Sequence, residues 1–203
     1  MLVVVGGHSR NIGKTSVVAG LIRVLPEWDW TAVKITQFGH GICASGGDCT
    51  CALEPQCPYL VTREEHPNRS DSGRFLASGA RESYWVRAPM GQLGRAVPAI
   101  REICAASRNT IVESNSIVEF LDPDLYLVVL DPAQADFKDS SRRFLDRADA
   151  CVQIERAPRA ANWKGVAREA WERLPRFVVR PPEYVTPALA EFLERRRASV
   201  PRH

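Results

Sequence analysis

Short apolar runs alternate along the chain with stretches whose apolar residues recur every three to four positions. The first run, Leu2 to Val5, predicts a buried strand. A helix is expected from Lys14, with Val17, Val18, Leu21, Ile22 and Leu25 on its buried face and Pro26 ending it. Thr31 to Thr36 predicts a second strand. The period is then lost from 37 to 70, a stretch rich in Gly, Cys, Pro and polar side chains. A segment this long without regular structure inside a compact domain is usually functional or disordered.

Regular patterning resumes with an expected helix near Asp71 to Ala80, a strand near Ser83 to Arg87 and a helix from Leu93 to Ser107. Strands are expected at Thr110 to Glu113, Leu125 to Leu130, Ala150 to Ile154 and Phe177 to Val179. Helices are expected near Ser141 to Asp146, Trp163 to Arg173 and Pro187 to Arg197. Strands alternating with helices imply an α/β fold with a mostly parallel sheet flanked by helices. The connectors are short, so residues 1–203 are expected to form a single domain, with 37–70 as a cysteine-rich insertion after the second strand.

The junction between the first strand and first helix holds the strongest chemical signal. It reads Gly6-Gly7-His8-Ser9-Arg10-Asn11-Ile12-Gly13-Lys14-Thr15. A strand, a glycine loop, Gly-Lys-Thr and a helix make up the setting of a phosphate-binding loop. Glycines let backbone N–H groups turn inward around phosphate oxygens, and the helix N-terminus adds positive partial charge. Lys14 would reach the β- and γ-phosphates of a nucleoside triphosphate, and the Thr15 hydroxyl would ligate Mg²⁺. Expected nucleotide contacts are Gly7, Asn11, Ile12, Gly13, Lys14, Thr15 and Ser16. Histidine occupies position 8, where the usual spacing puts the first glycine; Gly7 lies one step earlier. Arg10 reads either as a phosphate contact or as a solvated loop arginine. These features predict the P-loop NTPase class.

Such a site needs an acidic partner at the C-terminal end of a neighbouring strand, where open α/β sheets bind ligands. Glu113, closing Thr110-Ile-Val-Glu113, is the first choice to hold Mg²⁺; Asp131 is a weaker alternative, because Asp131-Pro132 is also an ordinary turn. Lys34, near the end of the second strand, would face the same crevice. Lys14, Lys34 and Glu113 are therefore the expected catalytic set.

The insertion brings four cysteines into fifteen residues: Cys43, Cys49, Cys51 and Cys57. Four thiolates could close a Zn²⁺ site or hold an Fe–S cluster, with Asp48 and His40 as alternative ligands nearby. Free cysteines or a redox-active pair are the other reading. Cys104 and Cys151 lie in apolar context and are expected in the core.

A net charge of +3 over 203 residues gives no general field for nucleic acid, and the run Arg195 to Arg197 reads as a solvated helix end. No apolar run approaches the ~20 residues that span a bilayer. The opening MLVVVGGHS lacks a basic leader, so a cytoplasmic protein with reduced cysteines is expected.

The spacing G-x-x-x-x-x-G-K-T resembles that of dethiobiotin synthetases. Lys34-Ile-Thr-Gln-Phe-Gly-His40 and Asp71-Ser-Gly-Arg74-Phe-Leu-Ala77-Ser-Gly-Ala80 resemble segments of the molybdopterin-guanine dinucleotide biosynthesis protein B family. The second departs from that pattern at Ser78, and Ser114 replaces the glycine expected after Val112-Glu113. The likeness covers roughly residues 1–90. The part from Asp124 to Asp149 looks more like regulatory and metallocentre-assembly GTPases.

The resemblance implies a GTP-binding, slowly hydrolysing accessory protein of molybdenum-cofactor or other metallocofactor biosynthesis, with a cofactor-biosynthesis enzyme as partner and a homodimer among the assemblies allowed. An ATP-dependent small-molecule kinase or ligase of dethiobiotin synthetase type is one alternative; a metal-binding scaffold with a structural nucleotide is another. No Asn-Lys-x-Asp motif marks guanine, so base contacts are expected from backbone or from late loops near Glu155 to Arg159.

Overall fold

A computed structural model describes residues 1–39, 57–156 and 163–200. Eight strands form one sheet: β1 (Leu2–Gly7), β2 (Thr31–Phe38), β3 (Leu60–Arg63), β4 (Glu82–Pro89), β5 (Thr110–Glu113), β6 (Leu125–Leu130), β7 (Ala150–Ile154) and β8 (Arg176–Val179). Their order is β3-β4-β2-β5-β1-β6-β7-β8. Every neighbouring pair is parallel except β3–β4.

The central strands are buried on both faces, which explains why β1, β5 and β6 read as unbroken apolar runs rather than alternating ones. Alternation survives in where their side chains go. Val3, Val5, Ile111, Leu125 and Leu127 enter a core with helices α1 (Lys14–Val24), α2 (Asp71–Ala77) and α6 (Pro187–Ser199). Val4, Val112, Tyr126 and Val128 enter a second core with α3 (Val97–Ala105), α4 (Asp139–Phe144) and α5 (Glu169–Glu172). The expected mostly parallel α/β architecture is observed.

Several boundaries differ from expectation. β2 continues to Phe38, because β4 pairs with it along its whole length. β3 lies inside the stretch expected to lack regular structure. It is a four-residue antiparallel edge strand, half-buried and without clean alternation, and so leaves little periodic trace. α2 stops at Ala77, after which Gly79 turns left-handed at φ 102°. The helix expected from Leu93 opens as a 3₁₀ turn over Leu93–Ala96 and becomes α-helical at Val97. The helix expected from Trp163 to Arg173 is reduced to Glu169–Glu172. Trp163 is instead buried against His8, Phe137 and Trp171, so its apolar character reflects core packing and not a helical face.

The arginine run near the C-terminus also has local employment. Arg196 pairs with Asp149 at 2.5 Å, and Arg197 lies 4.7 Å over the Trp28 ring. Cys151 is buried as expected, and Cys104 is half-buried. Among the described residues, no helix is long and apolar enough to cross a membrane.

Candidate functional site

β1 lies between β5 and β6 at the middle of the sheet, and its C-terminal end opens into the glycine loop. The loop reverses direction with two left-handed residues, Asn11 at φ 55° and Gly13 at φ 104°. Asparagine and glycine are the residue types that take this conformation at least cost. Ile12, between them, is fully buried and anchors the loop to the core beneath α1. Gly6 and Gly7 are required by close approach. A Cβ on Gly6 would run into the Asn115 amide and the Tyr126 hydroxyl. The Asn115 side chain makes a two-way bond with Gly7: its Oδ1 accepts the Gly7 N–H at 2.6 Å, and its Nδ2 donates to the Gly7 carbonyl at 2.9 Å.

Lys14 opens α1 and folds back over the loop, donating to the Ser9 carbonyl at 2.5 Å. Burial lowers its pKa below the ordinary lysine value, and the Glu113 charge opposes that loss. Thr15 donates its hydroxyl to Glu113 Oε2 at 2.8 Å. Glu113 is 3% exposed, and its Oε1 lies 2.6 Å from the Lys34 ammonium. Parallel register places Lys34, midway along β2, directly beside Glu113 at the end of β5. Ser16 accepts a bond from Arg74 Nη2 at 3.3 Å.

Asp71 completes this cluster and has no assigned role in the sequence reading. It occupies the first turn of α2, behind the Ser70 cap that accepts the Gly73 N–H. Its Oδ2 lies 2.7 Å from Lys34 Nζ. Burial works against its charge, but Lys34 outweighs burial and, with Arg74 and a Thr15 hydrogen bond, holds the carboxyl below its usual range. Burial likewise opposes the Lys34 charge, and Glu113 and Asp71 outweigh it to raise the lysine pKa. Two carboxylates thus converge on one ammonium beside the Thr15 hydroxyl. These are hard oxygen donors, the ligand type that suits Mg²⁺.

His8 serves a different end of the loop. Its ring is fully buried between Phe137 and Trp163. Nε2 accepts the Asp131 N–H at 2.9 Å, so Nδ1 carries the proton and donates to the Asp136 carbonyl at 2.7 Å. The His8 carbonyl accepts the Lys138 N–H at 2.8 Å, and Ser9 Oγ donates to Asp136 at 2.7 Å. These bonds fasten residues 131–138 to the glycine loop. Burial lowers the His8 pKa, with the Asp136 contact and the Asp131 charge in opposition.

Asp131, the alternative acidic partner, belongs to this network and not to the Thr15 cluster. It is fully buried, its Oδ1 accepts the Ala133 N–H at 2.9 Å, and its Oδ2 faces Arg156 at 3.1 Å. Lys138 is a further residue the sequence reading left without a site role. Burial, reinforced by Lys14 and Arg10, brings its pKa down to about 8. Lys14, Lys34, Lys138 and Arg10 act on one another electrostatically at this end of the sheet, with Glu113, Asp71 and Asp136 in opposition.

Cys57 is described and exposed. Cys43, Cys49, Cys51, His40 and Asp48 lie outside the described residues, as do 157–159 of the late loop expected near the base. Glu155, at the start of that loop, pairs with Arg180.

The solved structure of HypB from Helicobacter pylori in complex with nickel is similar to this chain with a TM-score of 0.53. The match has 14% sequence identity and covers 97% of this chain and 87% of that one. The fold is that of a P-loop NTPase. LpxK from Aquifex aeolicus, solved with ATP, matches at a TM-score of 0.48 and 15% identity, over 87% of this chain and 53% of that one. No protein-family model matches the chain, and no curated protein sequence matches it.

Proposed function

We propose that the loop from Gly7 to Ser16 binds a nucleoside triphosphate with Mg²⁺, and that the chain hydrolyses it slowly. The observation that carries this reading is the convergence of Thr15, Glu113, Asp71 and Lys34 beside Lys14, at separations of 2.6–2.8 Å. Lys14 neutralises the β/γ-phosphate region, and the loop N–H groups between Asn11 and Ser16 receive the phosphate oxygens. Thr15 would hold Mg²⁺ directly, with Glu113 and Asp71 as its acidic neighbours. When bound, Mg²⁺ neutralises charge on the terminal phosphates and orients them.

Lys34 already has two carboxylate partners that hold its ammonium beside Thr15, which supports a role in stabilising charge on the terminal phosphate. Phosphoryl transfer needs mostly positioning and charge stabilisation. The Asp71 carboxyl, which Lys34 holds below its usual range against burial, is a poor base toward a water, and this supports slow turnover.

GTP use and service to molybdenum-cofactor or other metallocofactor assembly are supported by the sequence resemblance of Lys34 to His40 and of Asp71 to Ala80 to the molybdopterin-guanine dinucleotide biosynthesis protein B family. In that role the nucleotide state would be read by a cofactor-biosynthesis enzyme. The test is Lys14→Ala with GTP and ATP titrations. A folded variant should lose tight binding of the preferred triphosphate. Unchanged affinity for both would remove the phosphate-loop assignment.

A further inference from the structure

The sheet face that carries Glu113 and Lys34 continues beyond β2 onto β4 and β3. Register places Lys34 beside Glu113 on one side and Trp85 on the other, with Thr62 beyond Trp85. Two residues further along β2 and β4, Thr36 pairs with Arg87, and Leu60 follows. Side-chain contacts confirm the shared face. Trp85 Nε1 donates to Thr36 Oγ1 at 3.0 Å, and the Arg87 guanidinium lies 4.3 Å from the Trp85 ring centroid. α2 closes the start of this face, where Ser83 donates to the Ser72 carbonyl at 2.8 Å. Past it, Thr36, Thr62, Trp85 and Arg87 are half-buried.

Arg87 stands out by its missing partners. Its Nη2 makes one long bond, 3.4 Å, to Thr62 Oγ1. Its Nε–H is sealed from solvent without an acceptor. Among the described residues no carboxylate lies within ion-pair reach of it, whereas Lys34 on the same face has two. Stacking on Trp85 satisfies the face of the guanidinium but not its edge, where all five N–H donors point. Among the described residues, then, this half-buried cation is short of one counter-anion. The Thr36 hydroxyl, an acceptor for Trp85, keeps its own proton free to donate.

The position suits a ligand. Two residues along a strand and one strand across put Arg87 roughly 8 Å from Lys34 between Cα atoms. Arg87 lies toward the C-terminal end of β4, and Lys34 stands beside Glu113, the last residue of β5, at the end of the sheet where such sheets take their ligands. We propose that the edge of Arg87, with Thr36 and Thr62, binds the oxyanion of a small second substrate, a carboxylate or phosphate, whose other end lies toward Lys34. Arginine's planar fork matches either oxyanion in a two-bond geometry. The role as a substrate site rests on the nucleotide reading. The anion site does not, since the charge imbalance at Arg87 is present whatever the glycine loop holds.

The test follows the Arg Nε–Hε resonances of the full chain by NMR, with ADP and Mg²⁺ in excess and ionic strength held constant with chloride. Inorganic phosphate and benzoate are titrated separately, so that the arms separate a phosphate site from a carboxylate site. The Arg87 resonance is identified by its loss in both Arg87→Gln and Arg87→Lys, so one folded variant suffices. The expected result is a saturable shift at millimolar anion with at least one probe, retained in Lys14→Ala. If neither anion moves that resonance more than chloride does, the site is wrong. If ADP fails to bind while the Arg87 shift persists, the nucleotide reading fails and the anion site stands.

Discussion

Thr15 donates its hydroxyl to Glu113 across 2.8 Å, joining the first turn of α1 to the end of β5, ninety-eight residues apart in the chain. The bond occupies a Glu113 oxygen on the side away from Lys34, which lies 2.6 Å from the other. Glu113 is therefore held at both oxygens and fixed in place before any ligand arrives. Asp71 reaches the same ammonium from α2, so three elements of the fold meet at one charge.

Glu113→Gln keeps the shape and one acceptor oxygen but removes the charge. Lys34 retains Asp71, so the fold should survive. If Glu113 organises Mg²⁺, turnover should fall at least about a hundredfold, the scale of losing one positioned catalytic group. Triphosphate affinity should change less than about tenfold. Steady-state hydrolysis alongside equilibrium titration separates the two. Wild-type turnover would shift the acidic role to Asp71, and Asp71→Asn is the companion variant.

What could be read from the sequence follows from how local each determinant is. β1, the glycine loop and α1 are contiguous, so their chemistry and order stand in one stretch of text. Glu113 was legible because it ends an apolar run and Lys34 because it is the one charge within another, and parallel register then placed them side by side. Asp71 was not. Its role depends on α2 folding back over β2, a contact between elements that no local pattern encodes. β3 was hidden because a four-residue, half-buried edge strand carries too few alternations. His8 read as an interruption of the glycine pattern, while its function as a buried connector comes from Asp131, Asp136 and Trp163, all more than a hundred residues away.

His8 gives a stability prediction with a pH sign. His8→Ala leaves the Asp131 N–H and the Asp136 carbonyl without their partner, and the buried Asp131 N–H alone costs about 1–3 kcal/mol. A fall in Tm of about 4–10 °C should follow for a chain of this size. The native pKa of His8 is lowered by burial, so the native state keeps the ring neutral while the unfolded state titrates near the ordinary value. Stability is fully present above the unfolded pKa, about 6.5, and is lost as pH falls toward the lower native pKa. Calorimetry from pH 7.5 to 5 should show this acid loss in the wild type and a shallower one in His8→Ala. Equal slopes would mean His8 does not control the 131–138 segment.

The cysteine-rich insertion yields a prediction by composition. Four thiolates spaced from Cys43 to Cys57 match a structural zinc or Fe–S ligand set, and thiolate ligation couples to folding. Anaerobically purified protein should carry close to one Zn²⁺ or one cluster per chain or per interface. Cys49→Ser should lose it while keeping triphosphate binding. Elemental analysis with thiol titration decides this, because four freely reacting thiols without metal would remove the assignment.

Lys138 links charge, stability and binding in a single titration. Its pKa of about 8 reflects burial first, then Lys14 and Arg10, which Asp136 only partly offsets, so at neutral pH the charge is held at a cost. An unfolded lysine keeps its proton to a much higher pH. Below pH 8 both states are charged and the native state bears the full cost; as pH rises past 8 the native lysine releases its proton and the cost is relieved. Unliganded wild-type protein should therefore gain stability between pH 8 and 10, relative to Lys138→Met, and the variant should be the more stable of the two at pH 7. A triphosphate reverses the preference, because its negative charge favours the protonated lysine. Triphosphate affinity should be greatest below pH 8 and decline above it in the wild type, with a flatter profile in Lys138→Met. At pH 7 the variant should bind more weakly by about 1.5–3 kcal/mol, or roughly ten- to a hundredfold. Thermal melts and nucleotide titrations across pH 7–10 test both halves. A variant that binds like wild type at every pH would place Lys138 outside the phosphate field, whatever its effect on stability.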